Sequence, residues 1–248
     1  MNKIISKPES IIGITGYCPG CGHGVIQRLI AESIEELGIQ DNIINVVDIA
    51  CSYWSMDTMN FDSIAGPHGR CAAVATGIKK VRPKTNVYVH AGDGSSYVIG
   101  LSETIFTALR DVPITMIVVN NGIFGMTGGQ LNLATTPLGD KTVSSPYGRN
   151  SENYGSPINM MEVLKNYDVE FLARGALFNG KEINKTKRYI KQGFKNQINN
   201  KGFSLIEILS NCPTNWKLSP IEAADKVKEV YTKIFPLGVY KDRGEKNE

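Results

Sequence analysis

The chain has 248 residues, with 27 Lys or Arg against 24 Asp or Glu and a formal net charge of +3. So even a balance excludes the basic stripe of a nucleic-acid binder and the polybasic face of a membrane-surface protein. The most apolar run, 114–119, is strand-sized rather than membrane-spanning. The opening MNKIISKPES carries no apolar secretory core, so the protein is expected in the cytoplasm, with no nucleic acid and no membrane among its partners.

In chain order, Val25, Ile26, Leu29, Ile30, Ile34 and Leu37 recur at helical spacing after a Gly-rich start. A short apolar strand is expected over 43–49, then a small-residue helix over 71–81 stopped by Pro83. A strand over 87–90 runs into Ala91-Gly92-Asp93-Gly94. Val98, Leu101, Ile105 and Leu109 mark the next helix face, and the strand over 114–119 ends in Asn120-Asn121-Gly122. Residues 124–157 break the rhythm. They are rich in Gly, Thr, Ser and Pro and lack periodicity, and their position after a strand end favours a functional loop. The alternation resumes with a strand over 171–176, a Lys-rich helix over 181–196, a strand over 203–209 and a helix over 220–235. This pattern implies one doubly wound α/β domain, residues 1–240, with a mostly parallel sheet covered on both faces. The charged end, 241–248, is expected to be a disordered tail. Right-handed crossovers place every strand's carboxyl end along one edge, where ligands bind.

Asp93 and Asn121 close consecutive strands of one βαβ unit, so they should meet at that edge. Mg²⁺ takes octahedral oxygen ligands, commonly one or two protein side chains with phosphate oxygens and water. Asp93 offers a carboxylate, Asn121 an amide oxygen and Ile123 a backbone carbonyl. Gly92 and Gly94 allow a diphosphate close to the backbone, and the helix start at Ser95 adds N–H donors. The bland alternative is two unrelated turns.

Five cysteines in a chain expected to be cytoplasmic argue against a disulfide framework. Cys18-Pro19-Gly20-Cys21 opens a helix, Cys51 ends a strand, and Cys212 follows another. Three separate element ends thus bring four thiolates toward one edge, which suits a 4Fe-4S cluster or a Cys₄ zinc site. Cys71, among Ala72, Ala73 and Ala75, reads as a packed thiol.

Gly92-Asp93-Gly94 through Asn120-Asn121 resembles the thiamine-diphosphate motif of that enzyme superfamily. Tyr17-Cys18-Pro19-Gly20-Cys21-Gly22-His23, Ala50-Cys51-Ser52 and Asn211-Cys212-Pro213-Thr214-Asn215-Trp216 resemble β subunits of 2-oxoacid:ferredoxin oxidoreductases. The similarity runs over 16–216. It implies a thiamine diphosphate-binding fold, with Mg²⁺ on Asp93, Asn121 and the Ile123 carbonyl. It assigns a 4Fe-4S cluster to Cys18, Cys21, Cys51 and Cys212, and cofactor contacts to Ala50, Ser52, Gly92, Gly94, Ser95, Met126 and Thr127. The activity implied is oxidative decarboxylation of a 2-oxo acid to an acyl-CoA, with electrons passing to ferredoxin. The resemblance also implies a partner α subunit that brings the Glu activating the pyrimidine ring, and a ferredoxin-like subunit or ferredoxin in the complex. His68 and Arg70 of Pro67-His68-Gly69-Arg70 are expected near substrate or cofactor as the catalytic candidates, and His90 in the core. His23 lies beside the cluster loop with structure and function equally open. Tyr147-Gly148-Arg149 is similar to branched-chain members, with no role derivable for Arg149. Gly128 stands where 2-oxoglutarate-using relatives often carry Lys, which favours an apolar substrate such as 2-oxoisovalerate over 2-oxoglutarate or pyruvate. Competing readings are a thiamine-dependent component without a cluster and a zinc-binding interaction module.

Overall fold

The computed structural model describes residues 6–244. Its main sheet is built from β1 (Ile43–Asp48), β2 (Ser63–Gly66), β3 (Asn86–Gly92) and β4 (Thr115–Asn120). A two-stranded ribbon, β5 (Ile123–Phe124) with β6 (Gln130–Leu131), follows outside it. The main sheet is completed by β7 (Phe171–Ala176), β8 (Ser204–Leu209) and β9 (Gly238–Asp242). The order is β2-β1-β3-β4-β8-β7-β9. Every pairing in it is parallel except that of β9 with β7.

Helices cover both faces, and the strands alternate between them as their pleat requires. Ile117 and Val119 of β4 join Ile206 and Ile208 of β8 under α1 (Gly22–Leu37) and α6 (Gly180–Ile198). Met116, Val118 and Leu205 face the other way, with Cys71 and Ala75 of α2 (Cys71–Val81) and Ala108 of α3 (Leu101–Leu109). Each fully buried Val, Leu or Ile contributes about 1.5–3 kcal/mol, which is why β4 and β8 can be buried along their whole length. Phe194 of α6 is fully buried in the layer under α1 and α6, and its truncation to Ala would cost about 3–5 kcal/mol. Gly38 ends α1 in the left-handed region, φ 64°, donating back to Ile34 and Glu35.

At the carboxyl end of the sheet, α7 (Pro213–Trp216) follows β8 directly. Ser219 and Glu222 form a capping box, with Pro220 in the first turn, that starts α8 (Pro220–Lys226). A π-helical stretch, Val227–Tyr231, continues that helix. Its Val227 and Tyr231, with Phe235, pack on Ala176 and Leu209, the last residues of β7 and β8.

Three departures from expectation have physical reasons. β2 and β9 are edge strands of mixed polarity, half exposed, so neither shows an apolar run or clean alternation. The segment 124–157, which leads into α5 (Met160–Leu164), is ordered by α4 (Ser151–Tyr154), by the β5–β6 ribbon and above all by Arg149. That buried guanidinium donates to the carbonyls of Asn132, Leu133, Thr136, Tyr154 and Gly155. The expected tail begins inside structure: Lys241 and Asp242 belong to β9, and Arg243 pairs with Asp111, Asp168 and Glu170. Residues 245–248 of that tail lie outside the described residues. Among the described residues no helix is long and apolar enough to cross a membrane.

Candidate functional site

Parallel pairing of β3 with β4, in register from Tyr88↔Thr115 to Gly92↔Val119, brings the two strand-end motifs side by side. Asp93 is buried and heavily bonded: Oδ1 accepts from Gly94 N at 3.0 Å, and Oδ2 from Gly122 N at 2.8 Å and Thr135 Oγ1 at 2.5 Å. Gly122 belongs to the Asn121 turn, so the carboxyl of one strand end is latched to the backbone of the next. Asn121 Oδ1 accepts from Ile123 N at 3.3 Å, and the Asn121 carbonyl from the Tyr231 hydroxyl at 3.1 Å. Burial pushes the Asp93 carboxyl up to about 7, against the lowering effect of these donors. A divalent cation is what restores an ionised carboxylate in such a place.

A cavity opens over this pair. Asp93, Asn121 and Ile123 line it together with Ala50, Ser52, His68, Gly92, Gly94, Ser95, Met126 and Thr127. The Ser52 hydroxyl is buried there without a hydrogen-bond partner among the described residues. A Cβ at Gly92 would meet none of the described residues within 4 Å, whereas one at Gly94 would strike the Phe124 ring. The first glycine leaves open space for a ligand and the second permits close backbone packing. The donor set and the open glycine fit a Mg²⁺-diphosphate group. Thr127 Oγ1 donates to Gln130 Oε1 at 2.5 Å, and Met126 is 47% exposed. Arg70 is not on the cavity wall: its guanidinium pairs with Glu103 and the Ile99 carbonyl at the surface.

A second cavity, of about 360 Å³, adjoins the first and shares His23, Cys51, Asn121, Gly125 and Met126 with it. Cys18, Cys21, Cys51 and Cys212 all line it, while Cys71 is buried elsewhere, in the α2 core layer. Gly20 turns the CxxC segment at φ 75°, and Cys21 N donates to the Cys18 carbonyl at 3.0 Å. A Cβ at Gly125 would stand 3.6 Å from Cys51 Sγ and 3.7 Å from Cys212 Sγ, so two of the sulfurs face one point of the backbone. Asn215 Nδ2 donates to Cys212 Sγ at 3.4 Å and to the Gly125 carbonyl at 2.8 Å. Burial pushes the Cys21 thiol up to about 11 and Cys51 up to about 12, with neighbouring cysteines adding to both. Burial raises Cys212 as well. Thiols so placed ionise when a metal takes them, so the set fits a cysteine-held metal group. Among the described residues no three His, Cys, Asp or Glu side chains converge as ligands of one ion; the four sulfurs ring the cavity instead.

His23 stacks on Tyr17 with ring centroids 5.3 Å apart and tilts toward His90. Burial lowers both imidazoles, His23 to about 4 and His90 to about 3, so both are neutral. Sequence reasoning missed Thr135 and Asp48 and gave Asn215 no role. Thr135 sits in an aperiodic segment, and the other two show their roles only through contacts in the fold.

Residues 47–208 match the family model of the thiamine pyrophosphate enzyme C-terminal TPP-binding domain. The chain is 36% identical, over 99% of its length, to the ketoisovalerate oxidoreductase subunit VorA of Methanothermobacter marburgensis, and covers 54% of that protein. It thus spans about half the length of such relatives. It is 35% identical, over 92% of its length, to the 2-oxoglutarate synthase subunit KorB of Methanocaldococcus jannaschii, covering 82% of it. Among solved structures it matches a 2-oxoglutarate:ferredoxin oxidoreductase from Magnetococcus marinus, solved with 2-oxoglutarate, coenzyme A and succinyl-CoA bound. The TM-score is 0.77 at 27% identity, over 91% of this chain and 73% of that one.

Proposed function

The chain belongs to the family of thiamine pyrophosphate-binding subunits of 2-oxoacid:ferredoxin oxidoreductases, and from that premise we propose that it carries thiamine diphosphate, Mg²⁺ and a 4Fe-4S cluster for the oxidative decarboxylation of a branched-chain 2-oxo acid. The observation that carries this reading is the shared wall of the two cavities. Cys51, Asn121, Gly125 and Met126 belong to both, so the cation site and the thiols are neighbours. When bound, thiamine diphosphate supplies the carbon nucleophile and electron sink, and the cluster accepts electrons singly.

The chain's own residues bind and orient. Asp93, Asn121 and the Ile123 carbonyl would hold Mg²⁺, and Gly92, Gly94 and Ser95 would admit the diphosphate. Ala50, Ser52, Met126 and Thr127 would wall the rest of the cofactor, with Met126 giving apolar contact. Cys18, Cys21, Cys51 and Cys212 would hold the cluster. The Asn215 amide, donating to Cys212 Sγ, would stabilise the reduced state by a hydrogen bond to sulfur. His68, on the cavity wall, is the catalytic candidate that remains once Arg70 is seen paired with Glu103. The acyl acceptor is coenzyme A. A partner α subunit would bring the pyrimidine-activating Glu and the other half of the cleft, and a ferredoxin-like subunit or ferredoxin would take the electrons.

Substrate choice follows from charge. Among the described residues no Lys or Arg lines either cavity, and Gly128 offers no side chain. A second substrate carboxylate would therefore find no cation from this chain, and burying it unpaired is costly. Kinetics of the anaerobically assembled complex on a panel of 2-oxo acids test this. The expected order of kcat/KM puts 2-oxoisovalerate above 2-oxoglutarate. The reverse order, or pyruvate ahead of both, would mean that residues outside this chain set the pocket.

A further inference from the structure

Asp48, the last residue of β1, is fully buried and directly precedes Ile49 of the first cavity's wall. Its Oδ1 lies 2.9 Å from His68 Nδ1, and its Oδ2 has no hydrogen-bond partner among the described residues. A carboxylate only accepts hydrogen bonds, so Nδ1 carries the proton of this bond. That leaves Nε2 as the ring nitrogen free to meet a ligand. The His68 side chain is 32% exposed. It lines the cavity that holds Asp93 and Ser95 and meets the Phe124 ring edge-on at 6.2 Å.

Charge decides the state of the ring. A buried carboxylate with one unpartnered oxygen is costly unless a cation compensates it, and His68 is the basic group bonded to it. The hydrogen bond to Asp48 raises the imidazole above its ordinary range, against a smaller opposing effect of burial. The other titratable groups packed around the pair do not compete. Cys71 of α2 has its thiol pushed up to about 12, by burial and then by Asp48. Arg70 and Glu103 are paired with each other, and Asp93 is latched to Gly94, Gly122 and Thr135. His23, the other histidine on the wall, is held neutral by burial.

We propose that Asp48 is a positioning residue that holds His68 as an imidazolium, and that the Nε2–H of this imidazolium receives the carboxylate of the 2-oxo acid. The proposal rests on the reading of this cavity as the thiamine and substrate site. It deepens that reading by naming the group that recognises the 2-oxo acid's one obligatory charge. It also agrees with the cavity walls, which offer a cation for one carboxylate and none for a second.

The test uses the assembled complex with Asp48→Asn and His68→Gln. Three quantities are measured: Mg²⁺-dependent thiamine diphosphate affinity by calorimetry, steady-state kinetics on 2-oxoisovalerate across pH, and the ¹⁵N-histidine spectrum of the full chain, which has three histidines. A hydrogen bond to a charged group contributes about 1.5–3 kcal/mol. The expected loss in kcat/KM is thus about 10- to 150-fold in each variant, carried by KM, with thiamine diphosphate affinity unchanged. In Asp48→Asn the His68 titration and the pH limb of KM should move together to lower pH; in His68→Gln that limb should vanish. An equal loss of diphosphate affinity would show that His68 serves the cofactor and overturn the assignment. An unmoved pH profile in Asp48→Asn would reduce Asp48 to a structural role. Should Asp48→Asn fail to fold, an unchanged KM in His68→Gln would still overturn the proposal. Failure of the wild-type complex to bind thiamine diphosphate would instead sink the underlying reading of the cavity.

Discussion

Replacing Glu207 with Ala should destabilise the fold more than any surface change, and the cost follows from what surrounds it. Glu207 Oε2 accepts from Arg174 Nε at 2.9 Å and lies 2.7 Å from the guanidinium Nη2 as an ion pair. Its Oε1 accepts from Asn120 Nδ2 at 2.5 Å. The Arg174 and Glu207 side chains are 0% and 1% exposed, so no solvent stands by to replace the carboxylate. Arg174 would keep Asn159, Tyr240 and the Pro236 carbonyl, but its charge would be buried without a counterion. Removing one member of such a pair costs about 3–5 kcal/mol. For a domain of this size each kcal/mol lowers Tm by about 2–4 °C, so Glu207→Ala should melt about 6–20 °C below wild type. The double variant Arg174→Met with Glu207→Met leaves no uncompensated charge and should lose less. Scanning calorimetry of the full chain in one buffer makes the comparison. A single variant melting within about 2 °C of wild type, or a double variant worse than the single, would mean that the buried charge of Arg174 does not need Glu207.

Serine at Cys18, Cys21, Cys51 or Cys212 should each lower iron content and visible absorbance after anaerobic purification, while Cys71→Ser should retain both; cluster loss in Cys71→Ser alone would reverse the ligand set. Gly122→Ala should destabilise by about 1–3 kcal/mol, because φ is 67° there and its Cβ would collide with the Tyr231 hydroxyl. The same change should weaken thiamine diphosphate binding through the Gly122 N–H that Asp93 accepts, and wild-type melting with wild-type affinity would contradict both. The stability contributed by the Asp48–His68 pair has a defined pH window. The folded-state imidazole is raised above its ordinary value of about 6.5, so the contribution is complete below that pH and is lost as pH rises through the folded value. The gap in urea midpoint between wild type and Asp48→Asn should therefore shrink with rising pH, and a gap that widens would contradict the sign.

The buried strands were legible because parallel strands covered on both faces read as apolar runs, as in Thr115–Asn120 and Ser204–Leu209. Asp93 and Asn121 were legible because both stand at strand ends, one βαβ unit apart. The edge strands were not, since Ser63–Gly66 and Gly238–Asp242 bury too little for a pattern to form. Arg149 carried no derivable role because its five partners are backbone carbonyls, which leave no trace in side-chain identity. Arg70 and His68 sit in one motif, yet the turn sends them apart, one to Glu103 at the surface and one to Asp48 at the cavity. Spacing alone does not reveal that divergence, nor that a strand-end Asp48 reaches a histidine twenty residues on.

Whether Asp93 and Asn121 jointly hold a Mg²⁺-bound diphosphate is answered by calorimetric titration of thiamine diphosphate into the anaerobically purified complex, with Mg²⁺ and with a chelator. Stoichiometric binding is expected with Mg²⁺, and none with chelator. Asp93→Ala and Asn121→Ala should each abolish the binding heat while the complex stays assembled and folded. Full thiamine diphosphate occupancy in both variants would contradict the account.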